Sequence, residues 1–382
     1  MQVVIRADAS LQMGTGHIMR CLTLAQALQE KGDQVDFICR EHLGHLTEFI
    51  EIKGFKVHRL PLHVQGVVCE QNDEPLINGA SIQEPCIKST RTGSLPTKTL
   101  YHSSWLGSTQ YQDAQDCMGI LKVLNPDWLI MDHYALDEIW QAMLEDYYKQ
   151  LMVIDDLADR KHKCNILLDQ TFGRKLEAYQ VLVPDNCQML LGSQYALLRP
   201  EFPQWREFSL KRREHPEFKK LLITMGGVDT ENATGQVLRA LTKCNLPKDL
   251  EIVVILGSAT PHLEVVNEQV KTFPFKVQVK VNVSNMAEIM ATSDLAIGAA
   301  GSTTWERCCL GLPSILLVLA ENQRIIGELI NDAGAALCIG RDQLPHMDKK
   351  ISHITNQLEN FILNASLVTD GTGLIKTMRY LK

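Results

Sequence analysis

The sequence predicts an α/β architecture of two doubly wound parallel sheets that face each other across a central cleft. Its 382 residues are too many for one ordinary core and suit two domains. Strand-like apolar runs alternate with helical periodicity in two separate series, the pattern of parallel sheets covered on both faces. A charged stretch, Lys211-Arg212-Arg213-Glu214-His215-Pro216, separates the series and suits a linker, so the expected domains are residues 1–210 and 211–382.

In the first series Val3–Ile5 reads as a strand. The next helix runs from about His17 to Glu30, because Ile18, Cys21, Leu22, Ala25 and Leu28 recur at helical spacing and Gly32 is placed to end it. Val35–Cys39 is a strand, followed by a helix near residues 43–52, Gly54 as breaker, and a strand at Phe55–Leu60. Residues 64 to about 100 are rich in Gln, Asn, Ser, Thr, Gly and Pro and show no sustained period. They read as a long, mobile surface insertion, with a lid over the cleft as the functional alternative. A helix near 113–124, a strand Trp128–Met131, a helix near 137–147 and a strand Leu151–Ile154 follow.

The second series opens with the strand Leu221–Met225 and a helix from about Glu231. Strand Ile252–Leu256, a helix near 262–271, strand Lys276–Val281 and a short helix Met286–Thr292 come next. Leu295–Gly298, a helix from Ser302, strand Ser314–Leu319 and a helix from Asn322 complete it. A terminal helix near 374–381 is a candidate to cross back to the first domain.

Composition narrows the function. Hydrophobic residues make up 45% and charged residues 22%, which describes a folded chain and not a disordered one. The formal charge of −7 argues against electrostatic capture of nucleic acid, so any bound phosphate must be met locally. Cys21, Cys39, Cys117, Cys164, Cys308 and Cys338 lie among apolar residues with no C-x-x-C, and read as buried hydrophobes in a reducing compartment. Val3-Val4-Ile5 follows so close to Met1 that a signal peptide has no room, and the longest strongly apolar run, Ile315 to Ala320, is far short of a membrane span. The expectation is a cytoplasmic protein with no membrane span.

Three glycine-rich turns stand at predicted strand-to-helix junctions. Gly14-Thr15-Gly16-His17 suits a phosphate-cradling turn, but Met19 stands where a dinucleotide fingerprint needs its third glycine. His17 falls in the first turn of a helix, whose positive end disfavours imidazolium by roughly 0.3–1 kcal/mol, up to ~2 when partly buried. A histidine kept neutral can act as a general base; the plainer reading is a helix-start histidine with no task. Gly298-Ala299-Ala300-Gly301-Ser302-Thr303-Thr304-Trp305-Glu306 lets backbone amides and hydroxyls meet an anion, and no Walker lysine follows. Thr303 and Glu306 also have capping-box spacing, and a capping glutamate looks the same in sequence as one that accepts from ribose hydroxyls. Met225-Gly226-Gly227-Val228-Asp229, with Asn232 and Thr234, is a third such turn, explained equally well as a plain tight turn.

Asp132-His133-Tyr134 and Asp155-Asp156-Leu157-Ala158-Asp159 sit at predicted strand ends, where cleft residues gather. Helix-capping carboxylates explain the second run better than Mg²⁺. His42-x-x-His45 lacks a cysteine or carboxylate set for zinc, so no metal is expected.

Arg6-Ala7-Asp8-Ala9-Ser10 leading to Gly14-Thr15-Gly16-His17-Ile18-Met19-Arg20-Cys21-Leu22 resembles the opening of the UDP-2,4-diacetamido-2,4,6-trideoxy-β-L-altropyranose hydrolases of pseudaminic acid biosynthesis. So do Asp132-His133-Tyr134, the run from Val153 to Arg160, and Tyr195-Ala196-Leu197-Leu198-Arg199-Pro200-Glu201-Phe202. Gly226-Gly227-Val228-Asp229, the segment Gly298 to Glu306, and Asn322-Gln323 follow in order, in a form shared with the wider MurG-like glycosyltransferases. The resemblance spans nearly the whole chain outside the insertion.

It implies a GT-B fold of two Rossmann-like domains and metal-free, cofactor-free hydrolysis of the UDP-sugar to UDP and free sugar. The family's proposed water-activating base matches His17. Tyr134 and Asn322 match residues near the sugar, Asn282-Val283 a segment by the uracil, and Glu306 a ribose contact. Asp8, Ser10, Gly14, Thr15, Gly16, Arg199, Gly226, Gly227, Asn232, Thr234, Gly301, Ser302 and Thr303 complete the expected substrate site. Because UDP is already a good leaving group, one base and a dipole-lined diphosphate site suffice, and a single water attack predicts anomeric inversion. Two other readings stay open: an inverting UDP-sugar glycosyltransferase of the same fold, and a non-catalytic UDP-sugar sensor. The expected partner is the UDP-sugar alone, bound by a monomer or weak dimer.

Overall fold

The structure is a computed structural model that describes residues 1–63, 100–257 and 260–382. The expected insertion, up to residue 99, lies outside the described residues. Two wholly parallel sheets carry the fold. The first has seven strands: β1 (Gln2–Ala7), β2 (Gln34–Arg40), β3 (Lys56–Leu60), β4 (Trp128–Asp132), β5 (Gln150–Ile154), β6 (Ile166–Asp169) and β7 (Gln188–Leu191). Their spatial order is β3-β2-β1-β4-β5-β6-β7. The second has β8 (Lys220–Thr224), β9 (Glu251–Leu256), β10 (Lys276–Val281), β11 (Leu295–Ala299), β12 (Ser314–Leu317) and β13 (Leu337–Ile339), in the order β10-β9-β8-β11-β12-β13. This is the α/β GT-B fold with two Rossmann-like domains.

The strands lie where they do because both of their faces are apolar. Successive residues of a strand point to opposite faces. Val3, Ile5 and Ala7 of β1 enter one core and Val4 the other; in β4, Trp128 and Ile130 join the first while Leu129 and Met131 join the second. The second sheet repeats this, with Ile252, Val254 and Leu256 of β9 on one side and Val253 and Ile255 on the other. At the sheet edge, β10 carries Lys276, Gln278 and Lys280 at alternate positions, a polar edge face that resists unwanted pairing.

Two segments tie the halves together. Helix Glu201–Arg212 puts Phe202 in the core of the second sheet, and the hydroxyl of Ser209 donates to the carbonyl of Leu310 at 2.7 Å. The last helix, Gly373–Met378, returns to the first sheet: Leu374 and Leu381 are buried in its core, and Lys31 Nζ donates to the Leu381 carbonyl at 3.2 Å. No helix among the described residues is long and apolar enough to cross a membrane.

In each sheet the strand order reverses at one place, between β1 and β4 and between β8 and β11. Such a switch point opens a crevice at the carboxyl ends of the strands, where ligands of open α/β sheets bind.

Candidate functional site

The first switch point holds a histidine–carboxylate pair. Ala7 of β1 pairs in register with Asp132, the last residue of β4. From β1 the chain turns through residues 8–15 into helix Gly16–Glu30, which brings His17 over the end of β4. The turn is held by Ser10, whose Oγ accepts from the amides of Gln12 and Met13 at 3.2 and 3.0 Å, and by the Gly14 amide donating to the Ser10 carbonyl at 2.9 Å. Gly14 has φ +77°, a conformation a side chain would strain.

His17 Nδ1 lies 2.6 Å from Asp132 Oδ1. Arg20, one turn along the same helix, donates through Nε to Oδ2 at 2.6 Å and through Nη2 to Oδ1 at 2.7 Å. Burial alone would raise the Asp132 carboxyl, but Arg20 and His17 outweigh it and hold the group well below the usual carboxylate range. An ionised carboxylate only accepts hydrogen bonds. Nδ1 therefore carries the proton, and in the neutral ring Nε2 has the lone pair. Nε2 makes no hydrogen bond among the described residues, and the side chain keeps 8% exposure. An oriented imidazole with a free Nε2 is equipped to accept a proton from water or a hydroxyl.

Tyr134 packs edge-on against this ring at 4.6 Å between centroids, and its hydroxyl donates to Asp156 Oδ2 at 3.0 Å. Asp156 also pairs with Arg20. His102 and Trp105 extend the aromatic wall, with centroids 5.4 and 6.0 Å from that of Tyr134.

Asp8 behaves differently from the expectation of a substrate contact. It is buried, pairs with Arg6, and accepts from the Arg40 amide at 2.7 Å. His133 Nδ1 accepts from the Ala135 amide at 3.0 Å, which leaves the Nε2 proton facing Asp8 Oδ2 at 3.3 Å. Asp8 thus stitches the end of β1 to β2. Asp155 pairs with Arg160 at 2.8 Å and accepts from the Tyr179 hydroxyl, also at 2.8 Å. Among the described residues no group of three or more His, Cys, Asp or Glu side chains is arranged to hold a metal ion.

The second switch point lies directly against the first. A Cβ on Gly227 would stand 2.6 Å from Thr15 Oγ1, and one on Gly16 would stand 3.4 Å from Ser302 Oγ. The turns after β8 and β11 therefore meet the turn that delivers His17. Gly226 (φ +89°) and Gly301 have open space where a side chain would project, so backbone amides are reachable there. Neither Ser302 nor any other side chain caps helix Thr303–Cys309. The capping-box alternative for Glu306 is not formed: its carboxylate, 15% exposed, points to Arg199 at 3.5 Å, and burial raises its pKa against that arginine. Asn322 sits in a 3₁₀ turn just after β12, and Asn282 and Val283 follow the end of β10 beside the Leu256 carbonyl.

Two expected contacts do not join this site. The Asn232 side chain is spent capping its own helix, accepting from the Gly235 amide at 2.9 Å. Thr234 is fully buried, and its amide donates to Asp229 at 3.0 Å. Three participants were not read from sequence as belonging with His17: its partners Asp132 and Arg20, and Asp156, which pairs with Arg20 and accepts from Tyr134. The His17/Arg20 spacing of i, i+3 was the available signal for Arg20, since it sets both on one helix face.

Residues 221–366 match the glycosyltransferase family 28 C-terminal domain. An uncharacterised protein of Methanocaldococcus jannaschii is 26% identical over 85% of this chain, which spans 57% of that protein's length. The UDP-2,4-diacetamido-2,4,6-trideoxy-β-L-altropyranose hydrolase of Campylobacter jejuni is 25% identical over 85% of this chain and 93% of its own. The crystal structure of Acinetobacter baumannii MurG superposes with a TM-score of 0.66 over 99% of this chain and 98% of that one, at 15% identity, which shows the shared fold. The chain is a GT-B protein similar along most of its length to the UDP-2,4-diacetamido-2,4,6-trideoxy-β-L-altropyranose hydrolases.

Proposed function

We propose that this chain hydrolyses a UDP-linked 2,4-diacetamido-2,4,6-trideoxy sugar to UDP and free sugar, in pseudaminic acid biosynthesis. The observation that carries the reading is His17, held through Nδ1 by Asp132 with Nε2 free, in the first turn of a helix whose leading residues Thr15 and Gly16 meet the glycine turns of the opposite sheet. In the proposed step Nε2 takes a proton from water as the oxygen attacks the anomeric carbon. The bond from that carbon to the diphosphate oxygen breaks, and UDP leaves with the electron pair. Attack opposite the leaving group inverts the anomeric centre. UDP departs as a stable anion, so no second, protonating carboxyl is required. Ser302, Thr303 and the turns at Gly226-Gly227 and Gly301 would meet the diphosphate, Glu306 the ribose, Asn282-Val283 the uracil, and Tyr134 and Asn322 the sugar. The reaction needs neither metal nor cofactor. The nine cysteines among the described residues are all unpaired, which fits a cytoplasmic setting.

The glycosyltransferase family 28 match favours a second reading, in which a sugar or lipid hydroxyl replaces water. One experiment separates them. The UDP-sugar is supplied without any acceptor, in chelator, and free sugar and UDP are followed by NMR. The proposal expects stoichiometric free sugar of inverted anomeric configuration. Turnover only on adding a hydroxyl acceptor would establish the transferase, and tight UDP binding with no product would leave a sensor.

A further inference from the structure

Nearly every buried arginine among the described residues is accounted for by its partners. Arg6 and Arg40 share Asp113 at 2.6 and 2.7 Å, Arg20 pairs with Asp132, and Arg160 with Asp155. Arg213 has no carboxylate, but it donates to the carbonyls of Ser209, Met290, Ala291 and Ser293 at 2.8–3.1 Å and so clamps helix Glu201–Arg212 to its domain.

Arg307 stands apart. Its side chain has no exposure, and only Nη2 is bonded, to the Ala299 carbonyl at 2.7 Å and to Thr304 Oγ1 at 3.2 Å. Nε and Nη1 are buried without a partner, and among the described residues Arg307 forms no ion pair. Gly298 makes room for it, since a Cβ there would stand 2.6 Å from Nη1 and 2.7 Å from the Thr224 carbonyl. Gly298 belongs to β11 and Thr224 ends β8. The guanidinium thus lies beneath the second switch point, under the turns that carry Gly226-Gly227 and Gly301-Ser302. A buried cation without an ion-pair partner is costly, and burial pushes this one down to about 10 against the weaker pull of the neighbouring Cys308 and Glu306. Field from a buried charge reaches a neighbouring crevice through low-dielectric protein with little screening by salt.

We propose that Arg307 is a positioning residue that supplies the counter-charge for the nucleotide's diphosphate from beneath these turns, favouring an anion there over a neutral ligand. Its bond to Thr304 also obliges that hydroxyl to direct its own proton elsewhere, and its bond to Ala299 fixes the backbone from which the phosphate-facing turn departs. The inference rests on the UDP-sugar reading above.

Calorimetric titration of wild type, Arg307→Met and Arg307→Lys with UDP and with uridine tests it, with folding of each variant checked by its melting curve. Arg307→Met should lose roughly tenfold or more in UDP affinity while uridine changes by less than about threefold, and Arg307→Lys, which keeps the charge, should recover most of the loss. Equal losses for UDP and uridine, no loss in a folded variant, or a lysine variant as weak as the methionine one would overturn the proposal. If Arg307→Met does not fold, Thr304→Val reads the same ratio: a selective UDP loss supports the proposal and an unmoved ratio overturns it. Wild type that binds no UDP removes the UDP-sugar reading and this inference together, whereas wild type that binds UDP with an unmoved ratio in the variants removes this inference alone.

Discussion

Nδ1 of His17 and Oδ1 of Asp132 lie 2.6 Å apart across the switch point of the first sheet, 115 residues distant in sequence. The contact fixes which ring nitrogen is free, and so makes a sharp prediction for the carboxylate. Asp132→Asn can offer its amide N–H to Nδ1, which moves the ring proton to Nε2 and removes the base. Turnover should fall roughly 10³–10⁴-fold, the scale of a wrong tautomer in a histidine–aspartate pair. His17→Ala should fall roughly 10²–10⁴-fold. In both variants UDP affinity, read by calorimetry, should stay within about threefold of wild type. A fully active His17→Ala protein would remove the base from the mechanism.

Tyr134 separates ring support from hydroxyl chemistry. Tyr134→Phe keeps the edge contact to His17 and loses only the bond to Asp156 at 3.0 Å. The expected cost is about 0.5–1.5 kcal/mol of stability, with turnover reduced less than about tenfold. Tyr134→Ala removes the wall against which the imidazole rests, and should lower turnover well beyond Tyr134→Phe at unchanged UDP affinity. Equal turnover for the two variants would show that the ring plays no part in holding His17.

How much of this was legible in the sequence follows from the range of each interaction. β1, β4, β8 and β11 were readable because both faces are apolar, and β1, β8 and β11 also lead into glycine turns. β6, β7 and β13 were not, since strands of four, four and three residues carry too little period to stand out. Helix Glu201–Arg212 was missed because only Phe202 and Ser209 are buried in it, which leaves no apolar stripe to read. His17 was visible through its local glycine turn. Its pairing with Asp132 arises only when β1 and β4 align Ala7 with Asp132, a register no local pattern encodes. Asn232 and Thr234 show the opposite difficulty: a residue that caps or begins a helix after a glycine turn, as these do, looks the same in sequence as one that meets a ligand there.

The meeting of the two glycine turns predicts a coupled pair. A methyl group on Gly227 would stand 2.6 Å from Thr15 Oγ1 and 2.8 Å from its Cγ2, and a β-branched side chain has few rotamers into which to retreat. Gly227→Ala should therefore push the turns apart and lower kcat/KM by roughly tenfold, equivalent to about 1.4 kcal/mol. Thr15→Ala should itself be mild, and the double variant should regain most of the loss, giving a coupling of about 1 kcal/mol in a double-mutant cycle. Strictly additive effects would mean that the two turns do not bear on each other in solution.

Buried neutral histidines set the onset of acid destabilisation. Burial holds His162 down to about 3, aided by Arg160, with Gln141 Nε2 2.9 Å from its Nδ1. Burial likewise lowers His133 and His102. In the unfolded chain each titrates near its ordinary value of about 6.5. Between the folded and unfolded values the unfolded state binds the extra proton, so stability is full above about pH 6.5 and is lost as pH falls below it. At about pH 5, His162 alone should cost about 2 kcal/mol relative to pH 7.5, well before the carboxylates of Asp132 and Asp8 begin to protonate. Urea unfolding at the two pH values measures the difference. His162→Gln should shrink it by about that amount whatever its effect on absolute stability, because the comparison is made within one variant. An unchanged pH difference would mean that His162 is already protonated in the folded protein.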